Sequence, residues 1–287
     1  MSVVYLNGEY LPLEEAKISV LDRGFLFADG VYEVIPAYGG QLLRLQEHMD
    51  RLQTNLDAIR LANPLPAEEW NNIFERLLKD NPGEDQSVYL QVTRGVAAKR
   101  DHGFPDKVTQ TVFIMVNELQ PVNKEELRPG VSAITLDDIR WKACNIKSIS
   151  LLGNILLRQQ AHDNNAAEAI LINDGNAVEG AASNIFMVKD NVIITPPTSF
   201  CLLPGVTRDL ILELAKKHHF KYAVRDIVED ELFSADEIWL TSSTKEILPV
   251  VELNAKPVAN GQSGPMWERM IDVYQAYKTE LRQGCAQ

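Results

Sequence analysis

Two glycine-containing turns constrain the fold of this chain more than any other feature of its sequence. Asparagine and glycine tolerate the positive φ angles that two-residue hairpin turns require, so each turn joins neighbouring antiparallel strands. The turns and strands predicted in this way are Asn7-Gly8 between residues 3–6 and 10–13, and Gly39-Gly40 between residues 31–38 and 41–45. The chain is therefore expected to begin with antiparallel sheet.

Helical and strand patterns then alternate, and they indicate two domains. The first domain, residues 1–120, adds predicted amphipathic helices at 47–61 and 66–79 and strands at 87–93 and 110–119. Residues 121–129 have the composition of an interdomain linker. The second domain, residues 130–287, has predicted strands at 130–136, 168–172, 185–188, 192–195, 222–227 and 237–241 and helices at 207–218, 230–235 and 266–282. Mixed elements of this kind predict an α/β (α+β) protein.

Composition argues against several classes of function. The 287 residues carry a formal net charge of -12, which disfavours nucleic acid and anionic membranes as partners. Cys144, Cys201 and Cys285 are too few and too irregularly spaced for a metal cluster or a disulfide framework. The N-terminus lacks the segments of a secretory signal, and no apolar run approaches the roughly 20 residues that span a bilayer. We therefore expect a cytoplasmic protein.

A single lysine stands out in the stretch from residue 135 to residue 162. Residues 139–149 are typical of an extended segment, and Lys147 lies near its end. Apolar residues then recur at helical spacing: Leu151, Leu152, Ile155 and Leu156. Apolar surroundings would favour the neutral amine that a Schiff-base nucleophile needs. A lysine that reaches solvent along its apolar stem fits the same local pattern.

Further residues fit the binding of a phosphorylated cofactor. Glu179, in a turn between strands, could hold a pyridine nitrogen in its protonated form. The turns at 203–209 and 242–244 offer amides and hydroxyls for a phosphate, with Thr207 at the predicted N-cap of a helix. Arg51, on a predicted helix, could add a fixed charge. Taken singly, these residues also fit exposed turns, a helix cap and a solvated arginine.

An arginine and a histidine lie two residues apart in the polar loop after residue 93. On an extended segment Arg100 and His102 project to the same side, where they could bind a carboxylate, although an exposed polar loop is the alternative. Combined with Lys147 and Glu179, this pair indicates pyridoxal 5'-phosphate and a carboxylate-bearing substrate. No metal-ligand spacing, Walker loop or nucleophile elbow in the sequence competes with that interpretation.

The order of these motifs resembles that of class IV (fold type IV) pyridoxal-phosphate aminotransferases, and within them the bacterial D-amino acid (D-alanine) aminotransferases. The resemblance runs from about residue 4 to residue 265 through LDRGFLFADGVYEV, EHMDRL, VTRGVAAKRDHGFP, DDIRWKACNIKSISLLGN, VEGAASNIF, LPGVTRD and LTSSTKEILPV. It implies a smaller N-terminal α/β domain and a larger C-terminal pseudo-barrel α/β domain. The D-amino acid branch depends chiefly on Tyr32, Arg100 and His102.

The resemblance also implies a role for each site residue. Lys147 matches the lysine that binds the cofactor and moves the substrate proton, and Glu179 matches the partner of the ring nitrogen. The implied phosphate contacts are Arg51, Val206, Thr207 and Ser243, with Ser242 in the same turn. The implied contacts to the substrate carboxylate are Tyr32, Arg100 and His102, of which the last two would reach the partner's active site in a homodimer.

The implied reaction is ping-pong transfer of the amino group from a D-amino acid such as D-alanine to a 2-oxo acid such as 2-oxoglutarate. Relatives of the same fold are the alternatives: a branched-chain L-amino acid aminotransferase, an (R)-amine transaminase or an aminodeoxychorismate lyase. A non-catalytic pyridoxal-phosphate-binding protein is a further alternative, but it would leave the carboxylate-binding pair without a purpose. Ala182 replaces a serine that some D-amino acid enzymes carry, which bears on substrate range.

Overall fold

The computed structural model describes residues 2–107, 109–120 and 123–285, and these divide into two compact units. Unit 1 comprises Met1–Pro121, Ile146–Ser150 and Glu280–Gln287, and unit 2 comprises Val122–Asn145 and Leu151–Thr279. The first two residues of the predicted linker, 121 and 122, lie outside the described residues. The predicted second domain includes residues 146–150, but the structure assigns that segment to unit 1.

Unit 1 is an antiparallel sheet with helices packed against it. Its described strands are β1 (Val3–Leu6), β2 (Glu9–Pro12), β3 (Gly30–Tyr38), β4 (Gln41–Leu42), β5 (Asp85–Thr93) and β6 (Thr111–Glu118), in the order β2-β1-β6-β5-β3-β4. Its helices are α1 (Arg23–Phe27), α2 (Leu45–Ala58) and α3 (Ala67–Asp80), with a 3-10 turn at Leu13–Glu15. Leu52 and Leu56 of α2 and Phe74 of α3 are fully buried in the core that covers one face of this sheet.

Both predicted hairpins are present, but the second is shorter than predicted. β1 pairs with β2 around Asn7-Gly8, where both residues have positive φ. β4 ends at Leu42, because Arg44 takes the left-handed conformation and α2 begins at the next residue. A left-handed residue cannot continue a β ladder, so the chain leaves the sheet at this point.

The segment 146–150 lies against β3, and this explains its assignment to unit 1. The Tyr32 N–H donates to the Lys147 carbonyl (3.0 Å), and the Ile149 N–H donates to the Gly30 carbonyl (3.1 Å). Ser148 forms an isolated antiparallel bridge with Val31. The prediction that residues 139–149 form an extended strand is therefore wrong. This segment makes one isolated bridge, and its partner is the edge of β3 and not a strand nearby in sequence.

Unit 2 is a larger mixed sheet with helices. Its described strands are β7 (Val131–Asp137), β8 (Glu168–Asn173), β9 (Asn176–Gly180), β10 (Asn184–Lys189), β11 (Val192–Thr195), β12 (Tyr222–Val224), β13 (Ile227–Val228), β14 (Glu237–Ser242), β15 (Glu246–Leu253) and β16 (Lys256–Pro257). They follow the order β12-β11-β10-β14-β15-β7-β8-β9-β13, and β16 pairs with β15. Its helices are α4 (Lys124–Leu127), α5 (Leu152–Asp163), α6 (Val206–Lys217), α7 (Glu229–Leu232) and α8 (Pro265–Arg282), of which the last three residues are assigned to unit 1.

Helix α5 turns a different face to the protein from the one expected. Leu157 and Ala161 are its buried residues, and they pack with residues of β7 and β8. Leu152, Ile155 and Leu156 are instead 70%, 61% and 53% exposed in the single chain. Helical spacing identifies two stripes on α5, and the sheet covers the one with the smaller residues.

Among the described helices, none is long and apolar enough to cross a membrane.

Candidate active site

Lys147 is held through its backbone on both sides. Its carbonyl accepts from Tyr32, as described above, and its own N–H donates to the Asn55 side-chain oxygen (3.3 Å). Asn55 is buried in α2, so a core helix and a sheet edge together fix this residue. The half-buried side chain places Nζ 4.2 Å from the centre of the Tyr32 ring. The structure therefore brings together the predicted nucleophile and one predicted substrate contact.

Tyr32 lies in an aromatic layer on the face of β3 that carries its half-buried side chains. The Tyr32 and Tyr89 ring centres are 5.8 Å apart, and the Tyr89 hydroxyl donates to Gln91 (2.7 Å). Burial raises the pKa of Tyr89 to about 12, so this hydroxyl stays protonated at neutral pH. Tyr89 thus supports the Tyr32 ring as a neutral neighbour.

Arg51 belongs to a buried cluster on the other side of β3. Its Nε and Nη2 donate to the two carboxylate oxygens of Glu33 (2.8 and 2.7 Å), and His48 Nδ1 lies 2.9 Å from the same carboxylate. Burial acts to raise the pKa of Glu33, but the charge and hydrogen bonds of Arg51, with His48, lower it to about 2. Burial lowers the pKa of His48. The phosphate contact expected of Arg51 remains a prediction.

Arg100 and His102 both contact Phe27 of α1. The Arg100 guanidinium carbon lies 5.0 Å from the centre of the Phe27 ring, and the His102 ring centre lies 5.3 Å from it. Both side chains are exposed, and the described residues between 98 and 107 contain no regular helix or strand. The two residues therefore share one aromatic support, in a loop that the sheet leaves free at the surface.

In unit 2, Glu179 shares one arginine with a second carboxylate. Arg140 Nη1 donates to Glu179 Oε1 (2.6 Å), and Arg140 Nε and Nη2 donate to the two oxygens of Asp138 (2.9 and 2.8 Å). The side chains of all three are between 3% and 5% exposed. Two carboxylates and one guanidinium leave this buried cluster with one negative charge in surplus when both carboxylates are ionised.

Glu179 has a raised pKa, and burial is the main cause. Burial raises this pKa to about 7, and Asp138 acts in the same direction, while Arg140 and the Leu203 N–H oppose the shift. A buried carboxyl with a near-neutral pKa can share a proton with a basic nitrogen at physiological pH. Glu179 has the chemistry expected of a partner for a ring nitrogen.

Asn184 connects Glu179 with the predicted phosphate-binding turn before α6. Its Nδ2 donates to the Leu203 carbonyl (2.9 Å) and lies 3.4 Å from Glu179 Oε2, which also accepts from the Leu203 N–H (3.0 Å). A Cβ atom on Gly205 would lie 1.9 Å from the Asn184 side-chain oxygen, so any larger residue there would displace the Asn184 amide. Asn184 is also the register partner of Thr241, the neighbour of Ser242. The turn before α6 therefore contacts this buried amide, and the turn after β14 follows directly on its strand partner.

The helix that follows Gly205 begins at Val206, one residue earlier than predicted. Gly205 is the N-cap residue, and Val206 is the first residue of α6. The prediction of Thr207 as the N-cap is wrong, because the extended conformation that marks the cap falls on Gly205. Thr207 lies instead in the first turn, 4% exposed. Amides in the first turn of a helix have no carbonyl partner within the helix, so Val206 and Thr207 keep the geometry of an anion site.

Ser242 and Ser243 lie where β14 turns into β15. Ser242 ends β14 opposite Glu246, and its hydroxyl accepts from the Lys245 N–H (3.3 Å). Glu246 has positive φ and pairs with the buried Lys278 of α8. The C-terminal helix thus fixes the residue that closes this turn.

Sequence reasoning missed the side chains that hold the predicted residues. Asp138, Arg140 and Asn184 lie within the motif blocks DDIRW and AASN, but no spacing or composition marks them as a cluster. Glu33, which binds Arg51, was missed for the same reason. The sequence offers one general signal: a carboxylate that is buried, as Glu179 would be in a cofactor site, needs a charged or hydrogen-bonding partner.

Comparison with known proteins identifies the family. The model of the family described as amino-transferase class IV matches residues 30–253. The chain is 38% identical over 277 residues to a D-alanine aminotransferase of Staphylococcus epidermidis, covering 96% of this chain and 98% of the relative. It is 39% identical over 263 residues to the D-alanine aminotransferase of Bacillus licheniformis, covering 92% of each.

A solved structure agrees in fold with nearly the whole chain. The branched-chain aminotransferase of the thermophilic archaeon Thermoproteus uzoniensis, crystallised with norvaline, superposes with a TM-score of 0.89 at 26% identity, covering 99% of this chain and 97% of the other. The chain belongs to the class IV amino-transferase family. It is an aminotransferase with the mixed α/β architecture of fold type IV.

Proposed function

We propose that this enzyme is a D-amino acid transaminase that moves the amino group of a D-amino acid such as D-alanine to a 2-oxo acid such as 2-oxoglutarate. The observation that carries this proposal is the near-full-length similarity to D-alanine aminotransferases of several bacteria, at 35% to 39% identity. Arg100 and His102, gathered on Phe27 in an exposed loop, support the assignment as a binding pair for a substrate carboxylate.

The residues of unit 2 fit pyridoxal 5'-phosphate. A protonated ring nitrogen would supply the positive charge that the cluster of Asp138, Arg140 and Glu179 lacks. The amides of Val206 and Thr207 and the hydroxyls of Ser242 and Ser243 would bind the phosphate, with Arg51 as a further predicted contact. When bound, this cofactor supplies an electron sink for the carbanion at the substrate α-carbon.

Lys147 would hold the cofactor through its amine and then move a proton at the substrate α-carbon. Its backbone is fixed by Tyr32 and Asn55, which reduces the entropy lost when the amine reaches the reacting atom. A positioned proton-transfer group of this kind contributes about 10²- to 10⁴-fold to a rate. Tyr32 would contact the substrate carboxylate together with Arg100 and His102.

A homodimer is part of the proposal. Leu152, Ile155 and Leu156 form an exposed apolar stripe on α5, and burying one such side chain in an interface is worth about 1.5–3 kcal/mol. In the dimer Arg100 and His102 would act in the partner subunit's active site. Sedimentation of the purified protein should give twice the mass of 32.2 kDa. A monomer that is fully active would contradict this part.

A reducing, cytoplasmic location is also proposed. All three cysteines are free in the structure, and Cys144 is buried. Burial raises the pKa of Cys144 to about 11, which makes its thiol unreactive.

The second candidate function is that of a branched-chain L-amino acid aminotransferase, which the TM-score of 0.89 to such an enzyme favours. The two candidates differ in the substrate that changes the visible spectrum of the loaded enzyme. D-Alanine alone should change it under the first proposal, and L-leucine alone under the second.

The experiment compares the wild type with Lys147→Ala and with Lys142→Ala as a matched control, since Lys142 is an exposed lysine five positions earlier. We expect D-alanine to bleach the wild type and Lys142→Ala, whereas Lys147→Ala should show no turnover. Substantial steady-state turnover by Lys147→Ala would remove that lysine from the mechanism. A protein that cannot be loaded with the cofactor would overturn the whole proposal.

A further inference from the structure

One buried arginine binds the backbone of the loop that carries Arg100 and His102. Arg23, the first residue of α1, is 3% exposed. Its Nη1 donates to the carbonyls of Asp101 (2.6 Å) and Gly103 (3.2 Å), and its Nη2 donates to the carbonyl of His102 (3.3 Å). A single guanidinium therefore holds three consecutive carbonyls of a loop that has no regular secondary structure among its described residues.

The guanidinium is itself fixed from the opposite side. Arg23 Nε donates to Asp29 Oδ2 (2.8 Å), and the same oxygen accepts from Arg94 Nε (2.8 Å). Arg94 then stacks over the Phe104 ring, with its guanidinium carbon 3.8 Å from the ring centre. The loop is held at its carbonyls by one arginine and at Phe104 by another, and both arginines share Asp29.

Helix α1 thus supplies two kinds of support to the same loop. Arg23 binds the backbone of residues 101–103, and Phe27, one turn later, lies beneath the side chains of Arg100 and His102. The Arg23 guanidinium also lies 4.9 Å from the Phe27 ring centre, which fixes that ring. Because this backbone is fixed in advance, substrate binding does not have to order it.

We propose that Arg23 is a positioning residue for the carboxylate-binding loop, one that never touches the substrate. Its planar fork presents several donors in fixed directions, which is what three neighbouring carbonyls require and what the single ammonium of lysine cannot reproduce. The proposal rests on the role given above to Arg100 and His102, in whichever subunit's active site they act.

The test measures KM and kcat together with amide hydrogen exchange in residues 100–107. Arg23→Met keeps the apolar stem and removes every donor, and Arg23→Lys keeps the charge that pairs with Asp29. Arg76→Met is the matched control, since Arg76 is an exposed arginine of unit 1 that pairs with Asp80. We expect Arg23→Met to raise the KM for D-alanine about 10-fold or more, with kcat changed less, and to speed exchange in the loop. Arg23→Lys should show the same changes to a smaller degree.

Arg100→Ala separates this inference from the proposed function. If Arg100→Ala raises KM but both Arg23 variants leave KM and loop exchange at the wild-type level, Arg23 has no positioning role and the proposed function stands. If Arg100→Ala leaves KM unchanged, the loop does not bind the carboxylate and both proposals for it fall. Should Arg23→Met not fold, Arg23→Lys decides, because faster exchange limited to residues 100–107 supports positioning and unaltered exchange contradicts it.

Discussion

Each unit buries an arginine against carboxylates, yet the two clusters have opposite electrostatic properties. In unit 1, Arg51 meets one carboxylate, Glu33, beside His48, whose pKa is lowered by burial. In unit 2, Arg140 meets two carboxylates, Asp138 and Glu179. The balanced cluster has a carboxyl pKa of about 2, and the unbalanced one has a carboxyl pKa of about 7.

The difference shows that the count of partners, and not burial alone, decides what a buried charge can do. A carboxylate matched by a bidentate arginine is satisfied by the fold and contributes to stability. A carboxylate that must share its arginine retains affinity for another cation or proton. The unbalanced cluster is therefore suited to a cationic group of a ligand, whereas in the balanced cluster Glu33 holds α2 against β3 through Arg51.

The largest effect expected from this comparison is the cost of neutralising Glu33. Glu33→Gln leaves the Arg51 charge buried without a counter-charge from Glu33, which should lower the free energy of unfolding by about 3–5 kcal/mol at pH 7. Glu179→Gln is the matched variant, because Asp138 still balances Arg140 after the change. Its unfolding free energy should stay within about 1 kcal/mol of the wild type or rise. Denaturant unfolding of the cofactor-free chains measures both, and equal losses would break the comparison.

The pH dependence of stability should have opposite signs for the two carboxyls. The folded-state pKa of Glu179 lies above its ordinary value of 4.5, so its contribution is present below pH 4.5 and is lost as pH rises to about 7. The folded-state pKa of Glu33 lies below 4.5, so its contribution is present above pH 4.5 and is lost as pH falls towards 2. Each change amounts to about 3 kcal/mol.

These contributions are isolated by subtracting the unfolding free energy of each Gln variant from that of the wild type at every pH. A difference for Glu179→Gln that stays flat between pH 4.5 and 7 would contradict its raised pKa. For Glu33→Gln the informative range is acidic, where a flat difference would show that Arg51 does not hold the carboxylate ionised.

A smaller effect, about 10²-fold, is expected on catalysis. Glu179→Gln removes the group proposed to keep the cofactor's ring nitrogen protonated, so kcat should fall by about 10²-fold or more, which corresponds to about 2.7 kcal/mol. Cofactor content, read from the visible absorbance, must be matched to the wild type so that weaker binding is not counted as slower chemistry. A loaded variant with wild-type kcat would show that the surplus charge serves no catalytic purpose.

The smallest effect should come from an ion pair at the surface. Arg225 and Glu231 make two hydrogen bonds, at 2.9 and 2.8 Å, but their side chains are 42% and 35% exposed. Arg225→Met should change the unfolding free energy by no more than about 1 kcal/mol. A loss as large as that of Glu33→Gln would mean that hydrogen-bond geometry, rather than burial, governs these pairs.

The parts of the fold that the sequence predicts are those fixed by local chemistry. The hairpin at Asn7-Gly8 and the helices α2, α3 and α8 follow from turn residues and periodicity within a few residues. The position of Lys147 as a β3 partner depends on hydrogen bonds to residues more than a hundred positions away, which no local pattern records. The outward face of α5 was missed because periodicity does not say which of two stripes a sheet will cover.

The same limit applies to the site. Lys147 and Glu179 could be named because their motif blocks match a family, but Arg140 and Arg23 could not, because their function is to hold other groups. Their partners are set by register and loop path, as when Asn184 faces Thr241 across the sheet. Charge balance in the folded chain is a property of these encounters and not of any single segment.

The segment that carries Lys147 also pairs with the open edge of β3 in the unit 1 sheet, and it is synthesised long after the rest of that sheet. β5 covers one side of β3, whereas β4 pairs only with Ala37 and Tyr38 on the other. Until residues 146–150 leave the ribosome, the first half of β3 offers open backbone groups to any neighbouring nascent chain. A chain that terminates before this segment would thus lack the proposed nucleophile and also expose an unpaired strand edge, which favours aggregation of incomplete translation products.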